Sequence, residues 1–186
     1  MKKSIIAAGA ASVALAAMPI VGAFATTFGT VEDTVNVTVS NGCTVSSGAS
    51  ATRTVTVPSM NAGAAAQIAD GQAIELTCNA GGWTITAAGS STGTNANSMY
   101  DASSHEIATG HAFSGDTSAW GVKITATNAT VPDSYGDYYD VPGDAGTTIA
   151  TGTASSGSIT PSYKVFAAAS QAAGDYSGKV TYTIAL

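Results

Sequence analysis

Apolar residues recur at every second position along much of this chain. Val35, Val37, Val39, Cys43 and Val45 share one parity, while Asn36, Thr38 and Ser40 occupy the other. Successive side chains of a strand point to opposite faces, so this stretch predicts a strand with Cys43 on its inward side. Val55 and Val57 predict a further strand, stopped by Pro58. Ile74, Leu76 and Cys78 alternate with Glu75 and Thr77, which turns the second cysteine inward as well. After the turn residues Asn79-Ala80-Gly81-Gly82, Trp83, Ile85 and Ala87 alternate with Thr84 and Thr86. Trp120, Val122, Ile124 and Ala126 form the next run, and Tyr163, Val165 and Ala167 a short one. Tyr176, Val180, Tyr182, Ile184 and Leu186 carry one parity to the last residue. Between these runs, 89–97 and 136–153 have no period and read as loops. Met60 to Ala69 is alanine-rich but interrupted by Gly63 and lacks a 3.6-residue stripe, so it predicts no more than one helical turn. Six to eight strands joined by Gly/Ser-rich turns imply an all-β fold, an antiparallel sandwich.

The first residues break this pattern. Lys2 and Lys3 precede an apolar run from Ile5 to Met18, Pro19 and Gly22 end it, and Ala23-Phe24-Ala25 is a small-x-small site. This is the layout of a secretory signal helix, with cleavage expected after Ala25. The run is short against the ~20 residues of a spanning helix, and no transmembrane segment is expected after cleavage. The expected organisation is a signal peptide at 1–25, an extension at 26–33 and one β-domain at 34–186.

Removing the signal leaves Arg53, Lys123, Lys164 and Lys179 against twelve carboxylates, a net charge of −8. Such a chain repels phosphate backbones, which argues against nucleic acid as a partner. Outside the cytoplasm the two cysteines, Cys43 and Cys78, most simply form a disulfide. Their shared inward parity suits a staple across a two-layer structure.

Candidate chemistry is sparse. Gly89-Ser90-Ser91-Thr92-Gly93 has the spacing of a nucleophile elbow, but a low-complexity loop follows where that motif requires a helix, so Ser91 is not expected to be catalytic. Asp133, Asp137, Asp140 and Asp144 gather with Tyr135, Tyr138 and Tyr139. Calcium pinning this loop is one reading, since that ion takes several oxygen ligands. The absence of a D-x-D-x-D rhythm favours the other, a solvated acidic loop whose tyrosines serve as contact residues. His105, Glu106 and His111 lie in a polar stretch whose spacing suits neither a helix face nor a strand face, so no metal, cofactor or acid–base site is expected. The sequons at Asn36 and Asn128 read as chance matches. Trp83 and Trp120 share parity with aliphatic neighbours and are expected in the core.

Two resemblances bear on function. Gly82-Trp83-Thr84-Ile85-Thr86-Ala87 and the terminal Gly174-to-Ile184 segment resemble the two halves of a WxL domain, a bacterial cell-surface β-domain implicated in non-covalent attachment to peptidoglycan. Here the motifs are Trp83-Thr84-Ile85 and Tyr182-Thr183-Ile184, the second without tryptophan. The chain also resembles spore-coat-U-type pilins of the archaic chaperone–usher kind. The points of likeness are the alternating strand leading to Cys43, the run Glu75-Leu76-Thr77-Cys78-Asn79 and the closing Gly-x-Tyr-x-x-x-Val strand. Both families imply an immunoglobulin-like or related sandwich. The expectation is a secreted, non-enzymatic protein of the bacterial cell surface, WxL-like, acting in surface structure or attachment to a wall polymer. The alternative is a pilin subunit that self-assembles with other surface proteins by exchanging the strand at 26–33. A secreted hydrolase is the remote third reading.

Overall fold

In the computed structural model the alternating runs close into antiparallel sheets. The strands are β1 (Cys43–Val45), β2 (Gln67–Asp70), β3 (Ile74–Cys78), β4 (Trp83–Gly89), β5 (Met99–Tyr100), β6 (Glu106–Ile107), β7 (Ala119–Thr127), β8 (Tyr139–Asp140), β9 (Thr147–Gly152), β10 (Ser156–Phe166) and β11 (Val180–Ala185). A single 3₁₀ turn, Asp133–Gly136, precedes β8. The structure describes residues 42–45, 53–79, 82–91 and 93–186, within a unit spanning 39–186. The expected signal peptide with Ala23 and Ala25, the extension 26–33, the strand residues Val35 to Val39 and the Asn36 sequon lie outside the described residues.

Six strands form one sheet in the order β1-β3-β10-β7-β8, with β2 also on β10. Three form a second sheet, β11-β4-β9, and β5 and β6 make a two-stranded ribbon. Every pair of named strands is antiparallel. Both larger sheets feed one buried cluster. Leu76, Val122 and Ile159 come from the six-stranded sheet, and Trp83, Ile85 and Ile149 from the three-stranded one; each is at most 2% exposed.

Strand β10 organises the larger sheet, and its proline explains a break beside it. Its C-terminal half pairs with β2 and its N-terminal half with β3, on the same edge. Between Ile74 opposite Ile159 and Asp70 opposite Ser162, the β2–β3 side holds one residue more than β10. Pro161 sits in that gap, and its carbonyl accepts the Gly71 N–H at 2.8 Å. The N and C=O of an extended residue point the same way, so the donor that proline lacks faces the interruption and costs the ladder with β7 nothing. A Cβ on Gly71 would stand 2.9 Å from the Pro161 ring, so glycine is needed for this approach.

Several sequence expectations change at this level. Arg53, Val55 and Val57 are half-buried with Thr54 and Thr56 exposed, yet 53–61 makes no strand among the described residues. Alternation reports which face is buried and says nothing of a ladder partner; Val57 packs on the core without one. Conversely, 136–153 is not all loop, because β9 runs through it. A bulge against Ile85 and Thr86 puts the adjacent Ile149 and Ala150 both inside, which hides the period of two. The expected helical turn near Met60 is a hydrogen-bonded turn at Asn61–Ala64 followed by β2. The disulfide is present between Cys43 and Cys78, but these residues are direct partners on β1 and β3 of one sheet. It joins neighbouring strands and does not cross between layers.

Candidate functional site

The two WxL-like halves become neighbouring strands. Ile184 lies opposite Ile85, Thr183 opposite Thr86 and Ala185 opposite Thr84. Their large residues face inward. Trp83 is 2% exposed, and its indole N–H donates to the Ala154 carbonyl at 3.1 Å. The ring lies against β9 and β10 together: a Cβ on Gly152 would stand 2.2 Å from it, and one on Gly157 2.4 Å. These two glycines are small because the indole occupies their side-chain space. Trp120, also expected in the core, is buried, donates to the Asn97 carbonyl at 2.8 Å and stacks on Tyr163.

Strand β11 differs from β4 beside it. All four inward residues of β4 are buried, whereas Val180, Tyr182 and Ile184 of β11 are half-buried. Among the described residues β11 is paired only with β4, so the core thins towards its outer edge. The strand nonetheless carries a partly buried polar contact: the Tyr182 and Tyr163 hydroxyls hydrogen-bond at 2.8 Å. Burial pushes both phenols above the usual tyrosine range, Tyr182 well above, with the neighbouring Tyr163 adding to its shift. An unfolded tyrosine ionises near ~10, and the folded state resists that ionisation. The stability involved is therefore intact below that pH and is lost as pH rises towards the folded-state values. Burial raises Tyr135 as well, which lies in the core and not at the surface of the acidic loop. Spectroscopic titration should therefore show three late-ionising phenols, and Tyr182→Phe should remove one. Normal titration of all seven tyrosines in the folded protein would refute this.

A shallow groove of about 440 Å³ adjoins the start of β11, lined by Ser90, Ser91, Tyr100, Asp101, Asp175 and Lys179 among others. The Ser91 hydroxyl in it donates to the Asn95 carbonyl at 2.8 Å, and bends and a turn follow where an elbow would need a helix. Asp101 is engaged by the backbone N–H groups of Ser103 and His105 and by the His105 ring at 2.8 Å. The His105 hydrogen bond, ahead of these backbone contacts, holds its carboxyl below the usual range. Bonds from Ser98 and Asn95 do the same for Glu106. His111 lies elsewhere, bonded to Asp140 at 2.8 Å and stacked on Tyr139.

The four aspartates considered for calcium do not converge. Asp133 opens the 3₁₀ turn, Asp137 accepts the Tyr138 N–H, Asp140 pairs with His111, and Asp144 is exposed beyond β8. Among the described residues no three His, Cys, Asp or Glu side chains form a metal-binding group. No described helix is long and apolar enough to cross a membrane.

One cluster escaped the sequence reading. Tyr138 and Phe113 meet edge to face, and the Tyr138 hydroxyl bonds to Ser162, which donates to Asp70 at 2.6 Å. Lys164 Nζ lies 4.7 Å from the Phe113 ring centre and 5.3 Å from that of Tyr138, and Lys123 Nζ lies 5.9 Å from the latter. Only the outward parity of Lys123 and Lys164 hints at it in the sequence, since Phe113 stands in a Gly/Ser-rich loop. No protein-family model matches the chain, and no curated protein matches it in sequence.

Proposed function

We propose that this chain is an exported, non-enzymatic structural protein of the bacterial surface. In this reading it is an antiparallel β-sandwich of immunoglobulin-like or related type that polymerises by strand addition along the outer edge of β11. The observation that carries it is the contrast between β4, whose inward residues are all buried, and β11, whose Val180, Tyr182 and Ile184 are half-buried with no partner strand beyond them among the described residues. An exposed edge next to under-covered apolar residues invites another strand, whose backbone completes the ladder and whose alternate side chains complete the core. Attachment to wall glycan through Trp83 has less support, because that ring is 2% exposed and its N–H is already bonded.

The donated strand comes from the residues that follow the signal. Within 26–33 only Phe28 and Val31 are large and apolar, and they differ in parity. Val35, Val37 and Val39 add three residues of a single parity, enough to match the three half-buried residues of β11. The donor is therefore placed within 26–40 of a second copy.

Surface material run unboiled on a detergent gel should show a ladder that collapses to one band on boiling. Deleting 26–40 should abolish the ladder. Because that deletion can also leave the fold incomplete, a second form should carry 26–40 joined through a short turn after Leu186. This form should be a folded monomer that no longer polymerises. A chain with its N-terminal segment intact that stays monomeric throughout would overturn the reading.

A further inference from the structure

We propose that the outer face of the six-stranded sheet, around Lys123 and Lys164, docks a second copy of this chain through a salt-sensitive contact separate from strand addition. Register places the residues. Ser162 lies opposite both Lys123 and Asp70, while Lys164 lies opposite Ile68 on one side and Gly121 on the other. Two loops fold onto this face. Phe113 fills the space over Gly121, where a Cβ would come within 2.9 Å of its ring, and Tyr138 is tied down through Ser162. Both lysine ammonium groups are held against these rings. Neither forms an ion pair with a carboxylate among the described residues, where both ion pairs belong to histidines. Ile68, 48% exposed, adds an apolar contact beside Lys164. Aromatic and aliphatic residues suit the apolar centre of a protein interface, and the lysines beside them suit its polar rim.

Charge identifies the occupant. After signal removal this face holds two of the chain's four basic residues, against twelve carboxylates in all. Two copies at net −8 repel over most of their surfaces, and this face is where one can meet the acid of another. That acid adjoins the face: Asp133 and Asp137 are exposed in the segment that supplies Tyr138. A patch carrying lysines and aspartates side by side is self-complementary under a two-fold axis, with the lysines of each copy facing the aspartates of the other. A phosphate-bearing polymer would meet the same lysines but also the acidic surround, which disfavours it.

The test is sedimentation of the full mature chain, freed of detergent-resistant polymer by size separation, over a range of concentrations at low and at high salt. A reversible dimer is expected at low salt, at least tenfold weaker at high salt, and absent from detergent gels, which separates it from strand-added species. Lys123→Glu with Lys164→Glu should abolish the dimer while circular dichroism stays unchanged, and so should Asp133→Lys with Asp137→Lys. Mixing the two variants should restore a one-to-one pair. Absence of a dimer at low salt would overturn the proposal, as would a lysine variant that dimerises normally or a mixture that fails to pair. Polyphosphate binding that depends on the lysines, in a chain that never self-associates, would overturn it in favour of an anionic polymer. None of these outcomes depends on the detergent-resistant ladder, so the two readings stand or fall separately.

Discussion

Trp83→Ala is expected to lower stability by about 3–5 kcal/mol, as measured by denaturant unfolding, the range for deleting a large buried aromatic side chain. The indole is 2% exposed and reaches from β4 to glycines on both β9 and β10, so its loss opens a cavity where the two larger sheets contribute to one core. It also leaves the Ala154 carbonyl without its donor. Single domains commonly hold only ~5–15 kcal/mol in total, so the variant should be largely unfolded at moderate denaturant and poorly recovered from cells. Gly157→Ala provides an independent test of the same contact. Its Cβ would stand 2.4 Å from the ring and 3.0 Å from the Thr127 carbonyl oxygen, so it should destabilise by overpacking, at about 1–3 kcal/mol. A loss under about 1 kcal/mol for Trp83→Ala would mean that the indole does not occupy this position. Surviving attachment of a stable Trp83→Ala protein to peptidoglycan would further separate the WxL-like likeness from any direct role of this ring.

How far the chain discloses its own structure depends on whether each strand keeps its period. The strands at 74–78 and 83–89 were legible because each buries one face and exposes or half-exposes the other. The strand at 119–127 is buried on both faces over its first four residues, and the inward residues of 180–185 are half-buried. Both were legible because large apolar residues still recur at alternate positions. The inward parity of Cys43 and Cys78 was legible for the same reason. Their position on adjacent strands was not, because parity gives a face and not a neighbour. Strand β9 was concealed by a bulge, and the length of β10 by Pro161, which argues against a central strand unless its missing donor faces a break. The candidate edge was only half visible: the sequence shows that the chain ends in a strand, but not that the inward residues of this strand stay half-buried. Of the lysine–aromatic face, the sequence shows only the outward parity of its two lysines, since the face joins residues from β2, β7, β10 and two loops.

Alternating patterns and residue-type motifs carry different amounts of information. The patterns place most strands, although the run at Val55 and Val57 makes none among the described residues. The serine elbow, the aspartate loop and the two histidines are matches of residue type at a spacing. Each resolves into local turn chemistry or a single surface hydrogen bond. The alternating runs integrate many residues, and one wrong position does not erase them. A functional reading of this protein therefore rests on edges and faces, which follow from topology.

Breaking the disulfide, by Cys43→Ala with Cys78→Ala, is expected to lower stability by about 3–4 kcal/mol. That figure is the loop-closure entropy for a sequence separation of 35, returned to the unfolded chain. Denaturant midpoints of the oxidised protein, the reduced protein and the double variant should place the last two together, well below the first, and reductant should not move the double variant further. The loss should also be local. Strand β1 has three residues and pairs with β3 alone among the described strands, whereas β10 is held by β7 along nine residue pairs. Without the bridge, the amides of Thr44 and Val45 should exchange at close to the rate of an unfolded chain while those of β7 and β10 stay protected. The position of the bridge gives this local effect a consequence for assembly. Cys43 follows the proposed donor residues 26–40 almost immediately in sequence, so the covalent bond to β3 holds the root of the donated strand in its own subunit while the strand itself is bound by the next. Under reducing conditions β1 can peel away under load, and ladders formed by strand addition should lose their resistance to mild denaturant. Ladders equally resistant with and without the bridge would show that β3 does not anchor the donor.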